Sequence, residues 1–595
     1  MVAAIVASSM VAYGWDLDAQ GWSDPYYTAV VQAGQQSWSS FWFGSLEVGN
    51  AMASDKPPVA FWVMALSARA FGLSSWSVLL PEVVETAGTT LLIYGAVRMV
   101  AGRTSGAVAA LVFATTPVVL VLARYNLPDT MMTFLVVAAA YCALRATRSP
   151  RWGWVAASGV GLGLAFLTKW AVSLLPAPAF AAALFMGAPG SARGVMWHRW
   201  RRVVLFAAAM AITAMSWVVP VLLVPARARP YADGSGGNLA SLILGRDGFS
   251  RLGGTGGAGT AHVAGTPSPW RLLVPPFGPQ VGWLLPLALG LAMVVAVTAC
   301  RGRDTDGSPT PALGRGPLWL ISLGWLVTCV GVFSVMTGPM HPYYTVLLAP
   351  AAAMVIALGL ADLRQRGWLR LASVPIAATV VYQLVLVRGV QLPSRSVLEA
   401  CLAVLLATAA GAALTQCHHA RARTPALLIA PLLVLPLAFG LTTDSHPVRG
   451  YDPLAGPLTA VATNPYPDRL TRFLHSHQGG RLWLAAVPRA TAASILQLQT
   501  GSPVLPLGGF TGHAGGPTIG QVRDWVESDR LRYLVLPHAY TAYPHDTPPA
   551  LEGYPVAAIL KWAKGNGCPQ QTGDSSFVVL DLDSDGVIGI GRACP

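Results

Sequence analysis

The stretch 341-HPYYTVLLAPAAAMVIALGLADLRQRGWLR-370 sets the class of the whole chain. From Tyr343 to Ala361 no side chain is charged, and Arg364, Arg366 and Arg370 follow close behind. At 1.5 Å per residue such a run crosses a hydrocarbon core of roughly 30 Å. Arginines gathered at one end mark the cytoplasmic side of a span.

The same pattern recurs along the chain. Apolar segments stand near 78–97, 105–122, 130–145, 153–168, 171–188, 203–224, 281–300, 317–337, 343–361, 371–387, 397–416 and 425–441, and a first helix precedes them, which predicts thirteen spans. Over 595 residues, 54% are hydrophobic and only 11% charged, against roughly 25% charged in soluble domains. The net charge of +13 comes from arginines clustered between apolar runs. That is a topology signal and gives no reason to expect a nucleic-acid partner. Alternate connections hold the cations, so 14–77, 123–129, 225–280, 338–342 and the segment after 441 are expected outside; Arg388 and Arg395 are exceptions. Val2 to Tyr13 lacks a basic flank and is too short to span alone, so either the start lies upstream or the first helix is incomplete.

The fold expected is therefore a polytopic α-helical membrane domain over 1–441 followed by an extracytoplasmic α/β domain over 442–595. In the latter, 481–487, 532–537 and 577–582 read as strands, and 468–477, 518–528 and 555–564 as helices. Within the first outer loop, Val59–Phe71 follows Pro57 and Pro58 and contains Arg69, which suits an interfacial helix. The glycine-rich stretches 233–238 and 253–265 lack a preceding strand and a P-loop lysine, and read as flexible connections or a lid. Most of the seven cysteines lie in apolar runs, whereas Cys568 and Cys594 in the polar C-terminal segment could pair.

Charge is scarce, so its placement carries information. Asp24, Asp55, Lys56, Arg124, Asp129 and His341 reach the same expected surface from different loops, and charges at a membrane edge are functional by default. Simpler readings stay open: Asp129 as the cap of the following helix, Asp55 as a cap with Lys56 snorkelling to headgroups, His341 as a helix-start residue, and the loop tryptophans and tyrosines as an interfacial belt.

The order of 22-WSDPYYTAVVQAGQQSWSSFWFGS-45, 55-DKPPVAFWVMALSARAFG-72, 124-RYNLPD-129, 168-TKW-170 and 341-HPYYTVLLAP-350 resembles the membrane glycosyltransferases of the GT-C class. Within it, the likeness is to the family of protein O-mannosyltransferases and aminoarabinose transferases (glycosyltransferase family 39-like). The stretches 504-VLPLGGFTG-512 and 532-RYLV-535 look like the extracytoplasmic domain of an actinobacterial-type branch. The resemblance implies transfer of a mannose-like or other hexose or pentose from a polyprenyl-phosphate donor to a hydroxyl of a protein, lipid or wall glycan, by one inverting displacement at the outer face of the cell membrane. It implies Asp24 and Asp129 as the catalytic acids, and Lys56, aided by Arg124, Lys169 and His341, at the donor phosphate. Asp55, Tyr27, Asn126, Tyr343 and, in 245-GRDGFSRLGG-254, Arg251 are the implied substrate contacts. No cofactor is required by this reading, and a divalent ion near His341 stays open. The rival is a polytopic lipid-linked sugar transporter or flippase, which should show internal repeats and charges near the midplane; no repeat is visible.

Overall fold

The structure, a computed structural model, describes residues 2–187, 195–250, 266–301, 315–389, 428–445, 451–456, 465–542 and 551–582. The chain forms two compact units, one of Met1–Gly21, Leu79–Trp217 and Gly248–Ala460, the other of Trp22–Val78, Val218–Asp247 and Val461–Pro595.

The first unit is helical. Among the described residues eight helices are long and apolar enough to cross a membrane, from Ser75–Ala114 to Leu369–Arg388, and shorter apolar helices accompany them. The expected spans 78–97 and 105–122 are found as Ser75–Ala114, which turns at Gly102 (φ 86°), and the short helix Pro117–Leu122. The expected span 171–188 shortens to Ala177–Met186, because Trp170 takes a positive φ of 51° and Pro176 and Pro178 cannot donate to a preceding turn. The expected span 397–416 lies outside the described residues.

Burial differs sharply between these helices. Pro342–Leu363 is enclosed along its whole length, whereas Met196–Leu223 exposes most of its apolar surface, including Trp197, Ile212 and Leu223. Large apolar side chains exposed all along a helix need lipid around them. Polar groups inside the bundle are tied off. Asp362 accepts from the Arg315 guanidinium and from Trp319 Nε1 at 2.8 Å, and buried Arg271 donates to the carbonyls of Met336 at 2.7 Å and Phe333 at 3.3 Å, closing the end of helix Gly316–Val335.

The second unit contains a five-stranded sheet: β1 Ala485–Val487, β2 Val504–Pro506, β3 Tyr533–Pro537, β4 Cys568–Gln570 and β5 Phe577–Asp581, in the order β2-β1-β3-β5-β4. β1 lies parallel to β2 and β3, and β5 is antiparallel to both β3 and β4. The expected helices appear as Asp468–His477, Ile519–Glu527 and Pro555–Asn566, and the second begins with a capping box in which Thr518 and Gln521 exchange side-chain bonds with each other's N–H. Arg532 grips Asp581 with Nε at 2.9 Å and Nη2 at 2.8 Å, which secures the end of the β3–β5 ladder. Cys568 is disulfide-bonded; Cys594 lies outside the described residues. Periodicity does not reveal the helix Ala490–Thr500, whose polar residues are spread over both faces, or the strands β2 and β4, which are three residues long.

Two loop segments join this sheet. Helix Pro25–Gln36 packs on Ala490–Thr500, where Gln497 donates to the Leu46 carbonyl at 2.8 Å and the Ala29 carbonyl at 3.4 Å. Helix Val59–Phe71 packs against Pro25–Gln36, where a Cβ at Gly34 would stand 3.2 Å from that of Ala65, so the lack of a side chain permits the approach. Met52–Ala53 pairs in parallel with Tyr231–Ala232. Glu47 receives Trp483 Nε1 at 2.8 Å, Ala51 N–H at 2.6 Å and Gly49 N–H at 2.5 Å. Burial pushes the Glu47 carboxyl pKa up, and these donors offset part of that rise.

Glu47→Ala would strand three donors, of which the indole of the sheet domain is buried and the two backbone N–H groups partly so. We expect it to destabilise the second unit by about 3 kcal/mol, seen as a lowered temperature for protease cutting of the C-terminal segment in the detergent-solubilised full chain.

Candidate active site

The second unit brings four of the expected site residues together. Pro25 occupies the first turn of helix Pro25–Gln36, and Asp24 caps it, its Oδ1 accepting from Tyr26 N–H at 2.9 Å and Tyr27 N–H at 3.3 Å. This fixes a buried carboxylate at a positive helix end. Further along, 54-SDKPP-58 forms a tight turn in which Lys56 N–H donates to Ser54 Oγ at 2.9 Å. Lys56 Nζ then lies 2.7 Å from Asp55 Oδ2, and Tyr27 donates its hydroxyl to Asp55 Oδ1 at 3.4 Å while stacking on Phe61. Asp55 does not cap the helix that follows, whose cap position is Pro58. Lys56 is buried, which disfavours the snorkelling alternative for this residue.

The first unit assembles a second cluster from an antiparallel helix pair. Asp129 opens helix Asp129–Arg148 and Lys169 closes helix Trp152–Lys169, so residues far apart in sequence meet where one helix starts and the other ends. Each charge sits at the helix end that its sign favours. The Lys169 ammonium pairs with Asp129 Oδ2 and lies over the rings of Tyr344 at 4.1 Å and Tyr343 at 4.7 Å. The tyrosine faces supply a second electron-rich surface to a cation buried to 4% exposure. Asp129 Oδ1 has no hydrogen-bond partner among the described residues. The helix cap position here belongs to Pro128, so the capping alternative for Asp129 does not hold; Asp24 is the carboxylate that caps.

Around this pair, buried Arg124 donates to the Ala12 carbonyl at 3.0 Å, and Asn126 is fully buried in the same turn. His341 stacks on Tyr343, with ring centroids 5.1 Å apart, and its Nδ1 contacts Asp452 Oδ1. When the ring is neutral that contact puts its proton on Nδ1 and leaves Nε2 as the acceptor. Arg251 lies outside the described residues. Among the described residues no group of three or more His, Cys, Asp or Glu side chains is arranged to hold a metal.

Several charged groups escaped the sequence reading. Asp452 sits just past the last apolar segment, in a stretch with no periodicity to mark it. Glu82 and Glu85 are buried within helix Ser75–Ala114, and both Glu82 oxygens lack a partner among the described residues. The general rule that intramembrane charge is functional would have flagged them. Asp233, in a stretch read as flexible, is fully buried.

Residues 55–221 match the family model described as dolichyl-phosphate-mannose-protein mannosyltransferase, and residues 470–550 match a model of the YkcB-like C-terminal region. The protein YkcB of Bacillus subtilis (strain 168), named as a mannosyltransferase, is 24% identical over 86% of each chain. These likenesses mark the chain as a membrane glycosyltransferase with a GT-C fold. Undecaprenyl phosphate-alpha-4-amino-4-deoxy-L-arabinose arabinosyl transferase 1 of Proteus mirabilis (strain HI4320) is 32% identical over 28% of this glycosyltransferase and 31% of its own length. The crystal structure of ArnT from Cupriavidus metallidurans bound to undecaprenyl phosphate superposes on the glycosyltransferase with a TM-score of 0.52 over 99% of each chain, at 15% identity, a likeness of fold. The transporter alternative is not favoured.

Breaking the Asp129–Lys169 pair leaves one charge buried alone. Asp129→Asn and Lys169→Met are each expected to cost about 3–5 kcal/mol, and the double variant less than the sum of the two. Thermal unfolding of the four proteins in one detergent measures this cycle.

Proposed function

We propose that this glycosyltransferase moves a hexose or pentose from a polyprenyl-phosphate donor to an acceptor hydroxyl at the extracytoplasmic face, in one inverting displacement. The observation that carries this reading is the state of its lysines. Of four in the chain, Lys56 and Lys169 are buried, each paired with a carboxylate in a motif of the matched family region. Buried cations of this kind are costly to keep, and a phosphate leaving group gives them a use.

In the reaction the bond from the anomeric carbon to the phosphate oxygen breaks, and its electron pair stays on polyprenyl phosphate. Negative charge grows on the phosphate oxygens, and a positioned cation stabilises it more in the transition state than in the ground state; Lys56 of the second unit, and Arg124, Lys169 and His341 of the first, are the candidates for that role. The acceptor oxygen bonds the anomeric carbon from the opposite side and gives its proton to a carboxylate. Asp24, held by two backbone N–H groups, and Asp129, whose second oxygen is unbonded among the described residues, are the candidates to take that proton. Attack opposite the phosphate inverts the centre, and no sugar-enzyme bond forms. Asp55, Tyr27, Asn126, Tyr343 and Arg251 complete the substrate contacts in this reading.

The donor class is supported by the relatives. The matched model and YkcB carry mannosyl transfer in their descriptions, the P. mirabilis protein carries an undecaprenyl-phosphate aminoarabinose, and ArnT was crystallised with undecaprenyl phosphate. The extracytoplasmic assignment, with 1–441 as the membrane catalytic domain and 442–595 outside, rests on arginines in alternate connections.

Transfer of label from radiolabelled polyprenyl-phosphate sugars in membranes tests the proposal. Wild type should move label to an acceptor, and Lys56→Ala or Asp129→Asn should move at least about 100-fold less. Equal transfer in all three would reject these roles.

A further inference from the structure

We infer that the C-terminal α/β domain belongs to the transfer machinery, because its loop Gly508–Gly512 fixes Asp233, and Asp233 in turn fixes the segment that carries Asp55 and Lys56. The inference rests on the reading of Lys56 as a donor-phosphate ligand.

The connection can be followed atom by atom inside the second unit. The Phe510 N–H donates to Asp233 Oδ2 at 2.8 Å, and the Tyr26 hydroxyl donates to the same oxygen at 2.9 Å. Tyr26 sets its ring edge-on to Phe510, with centroids 5.1 Å apart, and to Tyr27 at 5.2 Å. Tyr27 bonds Asp55, and Asp55 bonds Lys56. Asp233 has a second hold on the same place. Its backbone N–H donates to the Ala53 carbonyl at 3.0 Å, continuing the parallel pairing of Met52–Ala53 with Tyr231–Ala232 two residues before Asp55. Thus one buried aspartate contacts the lysine turn through its backbone and through two tyrosines.

The loop geometry is specific to this task. Gly509 adopts φ +56°, and a Cβ there would stand 2.4 Å from Asp233 Oδ1; Gly512 adopts φ +83°. Glycine at these positions lets the loop backbone close on the carboxylate. The hydrophobic core of the sheet, built around Trp483, Leu505 and Leu534, draws none of its buried residues from Gly508–Gly512. The stretch 233–238 is accordingly a built turn, in which Ser235 Oγ accepts from Gly237 N–H at 3.1 Å. Burial, followed by the charges of Asp233 and Asp55, pushes the Tyr26 phenol well above the ordinary tyrosine range. Tyr26 therefore stays protonated and serves as a donor to Asp233.

Tyr26, Asp233 and Phe510 are thus positioning residues. A shifted Lys56 should weaken the hold on phosphate both before and during sugar departure, while leaving the acceptor side alone. The test uses the full-length enzyme in detergent, with Tyr26→Phe, which deletes one oxygen and keeps the ring, Gly509→Ala in the C-terminal domain, and Lys56→Ala. Three quantities are read: the KM for the polyprenyl-phosphate sugar, the KM for the acceptor, and inhibition by undecaprenyl phosphate, which carries the phosphate without sugar. Tyr26→Phe and Gly509→Ala should each raise donor KM and the inhibitory concentration of undecaprenyl phosphate roughly ten-fold, with acceptor KM unchanged. A purely structural role would lower the active fraction and thus kcat, with donor KM at the wild-type value. That result, alongside a large loss in Lys56→Ala, overturns the coupling. If Lys56→Ala itself binds donor and undecaprenyl phosphate normally, the phosphate reading fails and the inference falls with it. If Gly509→Ala does not fold, Tyr26→Phe decides.

Discussion

An ammonium group removed from water must have a negative partner, and the structure answers that constraint twice. In the first unit the partner comes from helix geometry. Antiparallel neighbours joined by a short connection place the start of one beside the end of the next, so a residue at each terminus can meet its counterpart from another turn of sequence. Asp129 at a start and Lys169 at an end also complement the local backbone dipoles. The two tyrosines that follow His341 add their ring faces. Taken alone, the pair is weak evidence of stability, since well-packed apolar residues often serve a core as well. Its retention in a chain with so few lysines points to chemistry.

In the second unit the partner comes from the adjacent residue. Neighbouring side chains such as Asp55 and Lys56 rarely face each other in a regular helix or strand, and the prolines at 57 and 58 prevent either from forming there. Ser54 and the tight turn around Lys56 allow both side chains to turn the same way. The turn has little regular structure of its own, so its shape depends on what surrounds it. Glu47 and Asp233 provide that support by accepting from the Trp483 indole and the Phe510 N–H of the C-terminal segment, and Gln497 of that segment provides it by donating to the Leu46 carbonyl.

The legible part of this architecture was the part that repeats. Hydrophobic runs between arginine clusters located the long helices, and the residue pattern of 518–528 located a shorter one, which the structure starts with a Thr518–Gln521 capping box. Apolar runs were less informative where proline or a left-handed residue interrupts them, as at Trp170 and Pro176. Motif order brought Lys56, Asp55 and Tyr27 to notice, and likewise Asp129, Lys169 and Tyr343. Pair partners were not legible, because hydrogen bonds between distant segments leave no periodic trace. Asp233 illustrates the difficulty: glycine-rich surroundings suggest flexibility, yet those glycines allow the backbone to wrap a buried carboxylate. A helix cap was an open reading for Asp129 alone, yet Asp24 is the residue that caps, since an aspartate before an apolar helix fits either the cap or the first helical position.

That capping role bears on the chemistry. A carboxylate that accepts two backbone N–H groups is held in one orientation. Strong basicity is not required when the leaving group is a phosphate. As the anomeric carbon loses its phosphate oxygen, the attacking hydroxyl gains positive character and releases its proton late, to a base that needs only to be in place. The greater demand falls on the leaving side, where charge accumulates on phosphate away from water. In the proposed reaction, geometry there depends on the lysine turns, and for Lys56 on contacts that begin in the C-terminal sheet domain. A domain with no recognisable catalytic set of its own can therefore influence the rate by fixing where a single ammonium stands.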